Sequence, residues 1–331
     1  MDPYFIPQTV WQELLEPNSA VPHKRIAGGL SAARIWQCHS KHGPACLRAW
    51  PLDHPRPALL QQIHQAMLQA RQAGQNFVPR LYRSSRQQSF VGGCDALWEL
   101  TEWMPGAANY LEEPSEPRLR AALQALAHLH VVWAEGTTTT ACSPTVQHRL
   151  QTLHWWLAQC DMLARLETRH PLEQVLVADT RHYLMHLGPG LLSELQAGQH
   201  RPLPLHFVLR DIWSDHVLFS GHMVSGIIDW GAARQDEPAT DVARLLGSLE
   251  PYDRDRWRRG LAFYREINPA VDPARVHLLD RAAALLSAAQ WLQWLVLEQR
   301  PFNAPRDTLL NRWQRLLARL PALSDCTVDG G

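Results

Sequence analysis

The chain has no excess of either charge, with 32 Lys and Arg against 32 Asp and Glu. A balanced surface offers no long-range field to draw in nucleic acid or an anionic membrane, so neither is an expected partner. It has no run of about 20 apolar residues to cross a bilayer. Met1-Asp2-Pro3-Tyr4-Phe5 also lacks the basic and then apolar order of a signal peptide. Six cysteines, at 38, 46, 94, 142, 160 and 326, include no C-x-x-C pair. In a chain of 331 residues that scatter predicts reduced thiols, not a disulfide framework or a zinc site. There is no internal repeat and no low-complexity segment. The expected location is the cytoplasm.

What the chain does contain suits a globular protein. Apolar residues make up 46% and charged residues 19%, and the length allows two lobes with a sizeable core. Seventeen His and fourteen Trp are many. Taken singly, most of them predict packing, so composition alone names no function.

Residues 1–103 read as a strand-rich lobe. Strands are expected at Lys24–Ala27, Arg34–Cys38 and Ala45–Trp50, with turn chemistry at Lys41-His42-Gly43-Pro44. Apolar residues at 59, 60, 63, 67 and 68 predict a helix over 57–73. Two further strand-like runs cover 77–82 and 97–103. Met104-Pro105-Gly106 breaks the last strand and marks the expected boundary. Residues 104–323 then read as helical, with candidates at 117–134, 143–166, 172–187, 254–267, 273–299 and 306–320. The stretch 205–230 is the one clear strand signal among them. Residues 324–331 read as a flexible tail.

That stretch carries the chemistry. Leu209-Arg210-Asp211-Ile212-Trp213-Ser214-Asp215-His216 forms a polar loop between apolar strands, and Gly226-Ile227-Ile228-Asp229-Trp230 ends the hairpin on a second carboxylate. Such a hairpin brings Asp211 and Asp229 to one end of a small sheet. Phosphoryl transfer needs one carboxylate to orient or deprotonate an acceptor hydroxyl and another to hold a metal on the phosphates. Singly, Asp211 reads as a turn residue and Asp229 as a strand cap; together they point to chemistry. His216 has three open readings. It binds a metal directly, it donates to phosphate while Asp215 or water completes the metal shell, or it marks a metal site no longer formed.

Gly28-Gly29-Leu30-Ser31 predicts a flap whose backbone approaches phosphates. Arg48, two strands on, is placed to clamp phosphate oxygens. Arg210 and Asp241 read as supports, Asp241 as a helix N-cap. His128 and His130 lie on a mostly apolar helix and read as packing near the loop. A weaker reading makes Asp211, Asp215 and His216 a metallohydrolase centre, which needs His206 or His222 to join them.

The layout resembles the aminoglycoside phosphotransferase and choline kinase family, small-molecule relatives of protein kinases. Leu209-Arg210-Asp211 with His216 is similar to the family's His-Gly-Asp-x-x-x-x-Asn loop, and Ile228-Asp229-Trp230 to its Ile-Asp-Trp motif. Pro238-Ala239-Thr240-Asp241-Val242-Ala243 resembles Pro-x-x-Asp-Leu-Ala, and Leu126-Ala127-His128-Leu129-His130 resembles Leu-Ala-x-Leu-His. Leu47-Arg48 and Trp103-Met104-Pro105-Gly106 resemble the phosphate-contacting strand and the hinge.

The resemblance spans about residues 24–300. It implies a bilobal, protein-kinase-like α+β fold with a small antiparallel sheet followed by a large helical lobe. It implies ATP or GTP with magnesium or manganese, adenine at the hinge of Glu102 to Met104, and phosphates at Gly28, Gly29, Ser31 and Arg48. Asp211 is then the catalytic base and Asp229 the metal ligand, with His216 in place of the metal-binding asparagine. The expected reaction moves phosphate to a hydroxyl of a small molecule such as an amino alcohol, sugar or aminoglycoside.

Three departures, His216 at the position of the metal-binding asparagine among them, support an alternative, a nucleotide-binding pseudokinase or scaffold using its Trp-rich helical part. Leu209 replaces the loop histidine, and helix 57–73 holds no Glu to pair with Arg48, leaving Gln61 or Gln62 as nearest substitutes. Glu250, Asp253, Asp280, Trp291 and Trp294 read either as an acidic and aromatic acceptor surface or as solvated acids and core tryptophans.

Overall fold

The computed structural model describes residues 6–15, 24–26, 33–168, 170–302 and 304–324. The first half of the chain runs α1 (Gln8–Leu14), β1 (Lys24–Ile26), β2 (Arg34–Ser40), β3 (Gly43–Pro51), α2 (Pro57–Gln72), β4 (Leu81–Tyr82), β5 (Val91–Gly93) and β6 (Ala96–Glu102). Next come α3 (Glu116–Thr137), β7 (Thr139–Ala141), α4 (Pro144–Ala158), α5 (Cys160–Ala164), α6 (Pro171–Gly198) and β8 (Leu203–Val208). A short 3-10 turn at Ser214–His216 leads into β9 (Val217–Ser220), β10 (Met223–Ile227) and β11 (Arg234–Asp236). The chain continues through α7 (Ala239–Leu249), α8 (Arg254–Arg265), α9 (Pro273–Leu292), a π-helical turn at Gln293–Leu297 and α10 (Arg306–Ser324).

Two compact units divide these elements. One holds residues 1–137 and 207–235, the other 138–206 and 236–331. Segments 104–137 and 207–235 therefore group with the strand-rich part, although both lie beyond the expected boundary after Trp103.

In the first unit, an antiparallel sheet runs β1-β2-β3-β6-β4, with β5 also on β6. Strand β3 shows why its sequence is a strand. Its side chains alternate, so Ala45, Leu47 and Ala49 enter the core with Trp36, Trp98, Leu100, Val10 and Leu14. Cys46, Arg48 and Trp50 take the opposite face. The β2–β3 turn closes at Gly43, whose φ of +96° suits glycine. Helix α3 then lies against α2, where Trp133 Nε1 donates to Ala66 O at 3.1 Å.

The second unit is mainly helical. Its β7 pairs with the first residues of β8, Thr139 opposite Leu205. Helix α6 runs eleven residues past the expected stop at Leu187, through Gly188-Pro189-Gly190. That tripeptide does not end the helix because Gly188 serves a close approach: a Cβ there would lie 2.8 Å from Leu157 Cδ2. The expected helix over 143–166 divides at Gln159 into α4 and α5. The two helices α1 and α7 complete the pattern; Asp241 sits in the first turn of α7, three residues after its N-cap Pro238, so it is not the expected cap. No described helix is long and apolar enough to cross a membrane.

Candidate active site

Three parts of the first unit surround a cavity of about 260 Å³. The β3–β6 face contributes Arg48, Glu99 and Thr101, the hinge contributes Glu102 and Met104, and the hairpin contributes Leu218, Ile228 and Asp229. Met104 is buried, and its backbone N–H and C=O carry no hydrogen bond among the described residues. The Glu102 carboxylate turns aside, accepting from Arg80 N at 3.2 Å and pairing with Arg71 at 3.4 Å.

The hinge is fastened to the hairpin. Ala107 and Phe219 exchange backbone hydrogen bonds of 3.0 and 2.9 Å, and Ser225 Oγ donates to Pro105 O at 2.6 Å. Gly106 lies between them at φ +96°, where an added Cβ would fall 2.6 Å from Phe219 O. Only glycine fits. Arg118, buried at the start of α3, donates to Gly221 O at 2.8 Å at the hairpin tip and covers the Phe219 ring at 5.4 Å. Beneath the site Trp230 donates to Ile227 O at 2.9 Å and meets Trp133 edge-on at 5.6 Å. This anchors the residue that follows Asp229.

The loop carrying Asp211 is held by its own side chains. Leu209 is buried and apolar, filling core where the resemblance leads one to expect histidine. Arg210 has φ +64° and Asp229 φ +62°. Asp tolerates this left-handed region, whereas for an ordinary side chain such as Arg it costs about 1–2 kcal/mol. A strained Arg210 beside Asp211 suits a loop that fixes its carboxylate before ligand arrives.

His216 Nδ1 is 2.7 Å from Asp211 O, and Trp213 Nε1 donates to His216 Nε2 at 2.9 Å. An indole N–H only donates and a carbonyl only accepts. These partners therefore assign the proton to Nδ1 and leave the Nε2 lone pair facing the indole. Asp229 Oδ2 is 3.6 Å from that nitrogen. A backbone bond of 2.9 Å from Ile228 N to His216 O ties the loop to the second carboxylate.

Arg48 has the counter-charge that helix 57–73 was expected to lack. It stands directly opposite Glu99 in the β3–β6 register, with Nη1 3.8 Å from Glu99 Oε1 and 3.8 Å from Asp229 Oδ1. Gln61 and Gln62, the expected substitutes, point to solvent; the buried polar residue of α2 is His64, whose Nε2 lies 2.7 Å from Glu99 Oε2. Burial pushes the Glu99 carboxyl up, but the His64 hydrogen bond and the charges of His64 and Arg48 leave it below its ordinary value. Arg48 is raised despite burial by Cys46, Glu99 and Asp229, and its Nε is buried with no hydrogen-bond partner. Glu99 and His64 were missed at the sequence level. The available signal was an acid in the apolar strand Leu97-Trp98-Glu99-Leu100.

Other expectations end differently. Gly28, Gly29 and Ser31 lie outside the described residues. His128 is exposed, while His130 is buried beside Trp133 at 6.1 Å. Asp280 and Glu250 are buried and paired with Arg319 and Arg256, Asp253 caps α8, and Trp291 packs against Trp294. These residues of the second unit are structural. No group of three His, Cys, Asp or Glu side chains suited to a metal occurs among the described residues, which removes the metallohydrolase reading. A single open carboxylate does fit magnesium, which takes one or two carboxylates and completes its shell with phosphate and water. Asp229, with 37% of its side chain exposed, is that group.

The family model described as "Phosphotransferase enzyme family" matches residues 23–279. The chain belongs to the phosphotransferase enzyme family. Among curated relatives, this phosphotransferase is 31% identical over 128 residues to a homoserine kinase of Methylocella silvestris, covering 36% of this chain and 38% of that one. A homoserine kinase of Afipia carboxidovorans is 28% identical over 203 residues, covering 59% and 57%. The chain thus spans 38% to 57% of the length of these relatives. Solved structures show the kinase-like α+β fold. An aminoglycoside phosphotransferase of Alicyclobacillus acidocaldarius superposes with TM-score 0.64 at 18% identity, over 97% of this chain and 94% of that one. A spectinomycin phosphotransferase holding ADP and spectinomycin reaches 0.68 at 12%, over 96% of each.

Proposed function

We propose that this phosphotransferase moves the terminal phosphate of ATP or GTP to a hydroxyl of a small molecule. The observation that carries this is the meeting of Arg48, Asp229 and the His216-braced Asp211 loop beside a cavity bounded by Met104. Arg48 contributes fixed positive charge at the cavity, with an Nη1 only loosely held by Glu99 and Asp229, suited to phosphate oxygens. Asp229 would hold a magnesium or manganese ion, which neutralises charge on the β- and γ-phosphates when bound. Asp211 accepts the proton of the acceptor hydroxyl as its oxygen attacks the γ-phosphorus and the bond to the nucleoside diphosphate breaks. Met104 meets the base through its free backbone N–H and C=O. By resemblance alone, Gly28, Gly29 and Ser31 are candidates for phosphate contact.

An acceptor with a primary hydroxyl near an amino group is the first to test, since the curated relatives are named homoserine kinases and the solved ones act on amino-bearing antibiotics. Amino alcohols, sugars and aminoglycosides belong in the same panel. The Glu99 carboxylate beside Arg48 and the apolar packing of Leu209 weigh against two of the three departures that favoured a pseudokinase, leaving His216 as the third. Kinase assays of the purified chain with each nucleotide and cation test the reading. Transfer abolished in Asp211→Asn supports it, nucleotide binding without turnover across the panel returns the pseudokinase, and absence of nucleotide binding defeats both.

A further inference from the structure

The counter-charge of Arg48 comes from within the sheet. Register puts Glu99 opposite Arg48 on adjacent strands, so period-two alternation sends both side chains to the cavity face. Glu99 then divides its oxygens: Oε1 lies toward Arg48 at 3.8 Å, and Oε2 receives His64 Nε2 from α2 at 2.7 Å. The far nitrogen, His64 Nδ1, is buried with no hydrogen-bond partner. Trp50 backs the guanidinium at 4.7 Å. The cation is thus steered on one side by Trp50 and on another by Glu99, while its Nη1, 3.8 Å from both carboxylates and at the cavity, is held too loosely to be used up.

We propose that Glu99, pinned by His64, is the positioning carboxylate that presents Arg48 to the nucleotide phosphates, which keeps the counter-charge on the sheet and leaves to α2 only the setting of its rotamer. A carboxylate on a helix moves its charge whenever the helix moves. Here the ion pair belongs to two hydrogen-bonded strands, and α2 contributes only the imidazole that fixes the carboxylate's rotamer. Shifting α2 would release a hydrogen bond and leave the counter-charge in place. The site is built to stay poised. This rests on the nucleotide-binding reading above.

Calorimetry on the full chain with magnesium separates the possibilities, using adenosine and a non-hydrolysable ATP analogue as paired probes. Glu99→Gln keeps shape and removes charge. The expected result is an analogue affinity about ten-fold weaker with adenosine affinity within about two-fold, because only phosphate meets Arg48. Moving the charge back to the helix in Glu99→Gln with His64→Glu should recover most of the loss. A purely structural role would weaken both probes together, and that result, or an unchanged analogue affinity, overturns the proposal. Should Glu99→Gln not fold, Glu99→Asp withdraws the carboxylate by one methylene and is read by the same ratio. Wild-type protein that binds neither probe defeats the nucleotide reading and this inference together. Wild-type binding with an unselective Glu99 variant defeats the inference alone.

Discussion

The buried acids of the second unit and the Arg48 cluster at the cavity of the first are handled in opposite ways. In the second, buried acids are closed off by partners of their own. Glu237 takes Arg275 as a fork at 2.8 and 3.0 Å, and Asp236 accepts Ser143 Oγ at 3.1 Å and Thr145 Oγ1 at 2.6 Å. At the cavity of the first unit the Arg48 distances are loose. Arg48 stands 3.8 Å from each of two carboxylates, and Asp229 remains partly open. A tight fork consumes the hydrogen-bonding capacity of both ions and leaves nothing for a ligand. A loose one keeps capacity in reserve. The difference teaches that residue type does not separate structural from reactive charge; what separates them is whether the partners are already used.

The largest expected effect comes from the two carboxylates of the hairpin. Asp211→Asn should lower turnover about 10²- to 10⁴-fold while nucleotide affinity stays within about two-fold, as for loss of a general base. Asp229→Asn should instead remove the cation dependence of nucleotide binding. Steady-state kinetics and calorimetry check the pair. Equal loss of binding in both variants would erase the division of labour between them.

The closed pairs should answer through stability. Glu237→Gln strands the buried Arg275 and takes away a favourable charge beside Arg149, which burial already pulls down to about 10. Breaking one side of such a pair costs about 3–5 kcal/mol. Urea unfolding should record that loss, and the folded protein should bind nucleotide as before. A Glu237 variant with normal stability but weakened nucleotide binding would collapse the contrast between the units.

The sequence carried the functional frame well because the chemistry there is local. The spacing of Asp211 and Asp229 and the apolar strands around them sit within one hairpin, so periodicity and turn residues suffice to read them. The Arg48 partner was not legible for the opposite reason. Its identity depends on the register between β3 and β6, fifty residues apart, and on which face of α2 is buried. Gly188-Pro189-Gly190 misled for a related reason, since its glycine meets a neighbouring helix that local signals do not contain. Asp280 drew attention as an acceptor ligand because its arginine lies 39 residues along the chain, whereas Glu250 pairs with Arg256 only six residues on, a local pair that the sequence reading passed over.

Gly106→Ala tests the fastening of hinge to hairpin and should be smaller in effect. A Cβ would meet Phe219 O at 2.6 Å and Ser225 Oγ at 2.2 Å, at a φ of +96° that alanine resists. Strain of this kind costs about 1–3 kcal/mol. Thermal unfolding should show the loss, accompanied by weaker adenosine binding if the hinge supplies the base contacts. Unchanged adenosine affinity in a destabilised variant would make Gly106 a structural glycine of the kind found at Gly188.

The smallest effect should come from Trp213, and it decides on which side of the contrast His216 falls. Its Nδ1 is engaged by Asp211 O and its Nε2 by the Trp213 indole, so at present it looks closed, like Glu237. Yet Nε2 stands 3.6 Å from Asp229 Oδ2, close enough to join a cation held there if the indole proton were absent. Trp213→Phe keeps an aromatic ring and removes only the donor. A freed imidazole lone pair favours manganese over magnesium, because nitrogen suits the softer ion. The ratio of half-saturating magnesium to manganese should rise roughly three- to ten-fold, a shift of about 0.6–1.4 kcal/mol. Adding His216→Asn to the same variant replaces nitrogen with an amide oxygen and should bring the ratio back. An unchanged ratio in Trp213→Phe would mean that His216 serves Asp211 alone, bracing the loop through Nδ1, and that the cation is left to Asp229 and the phosphates.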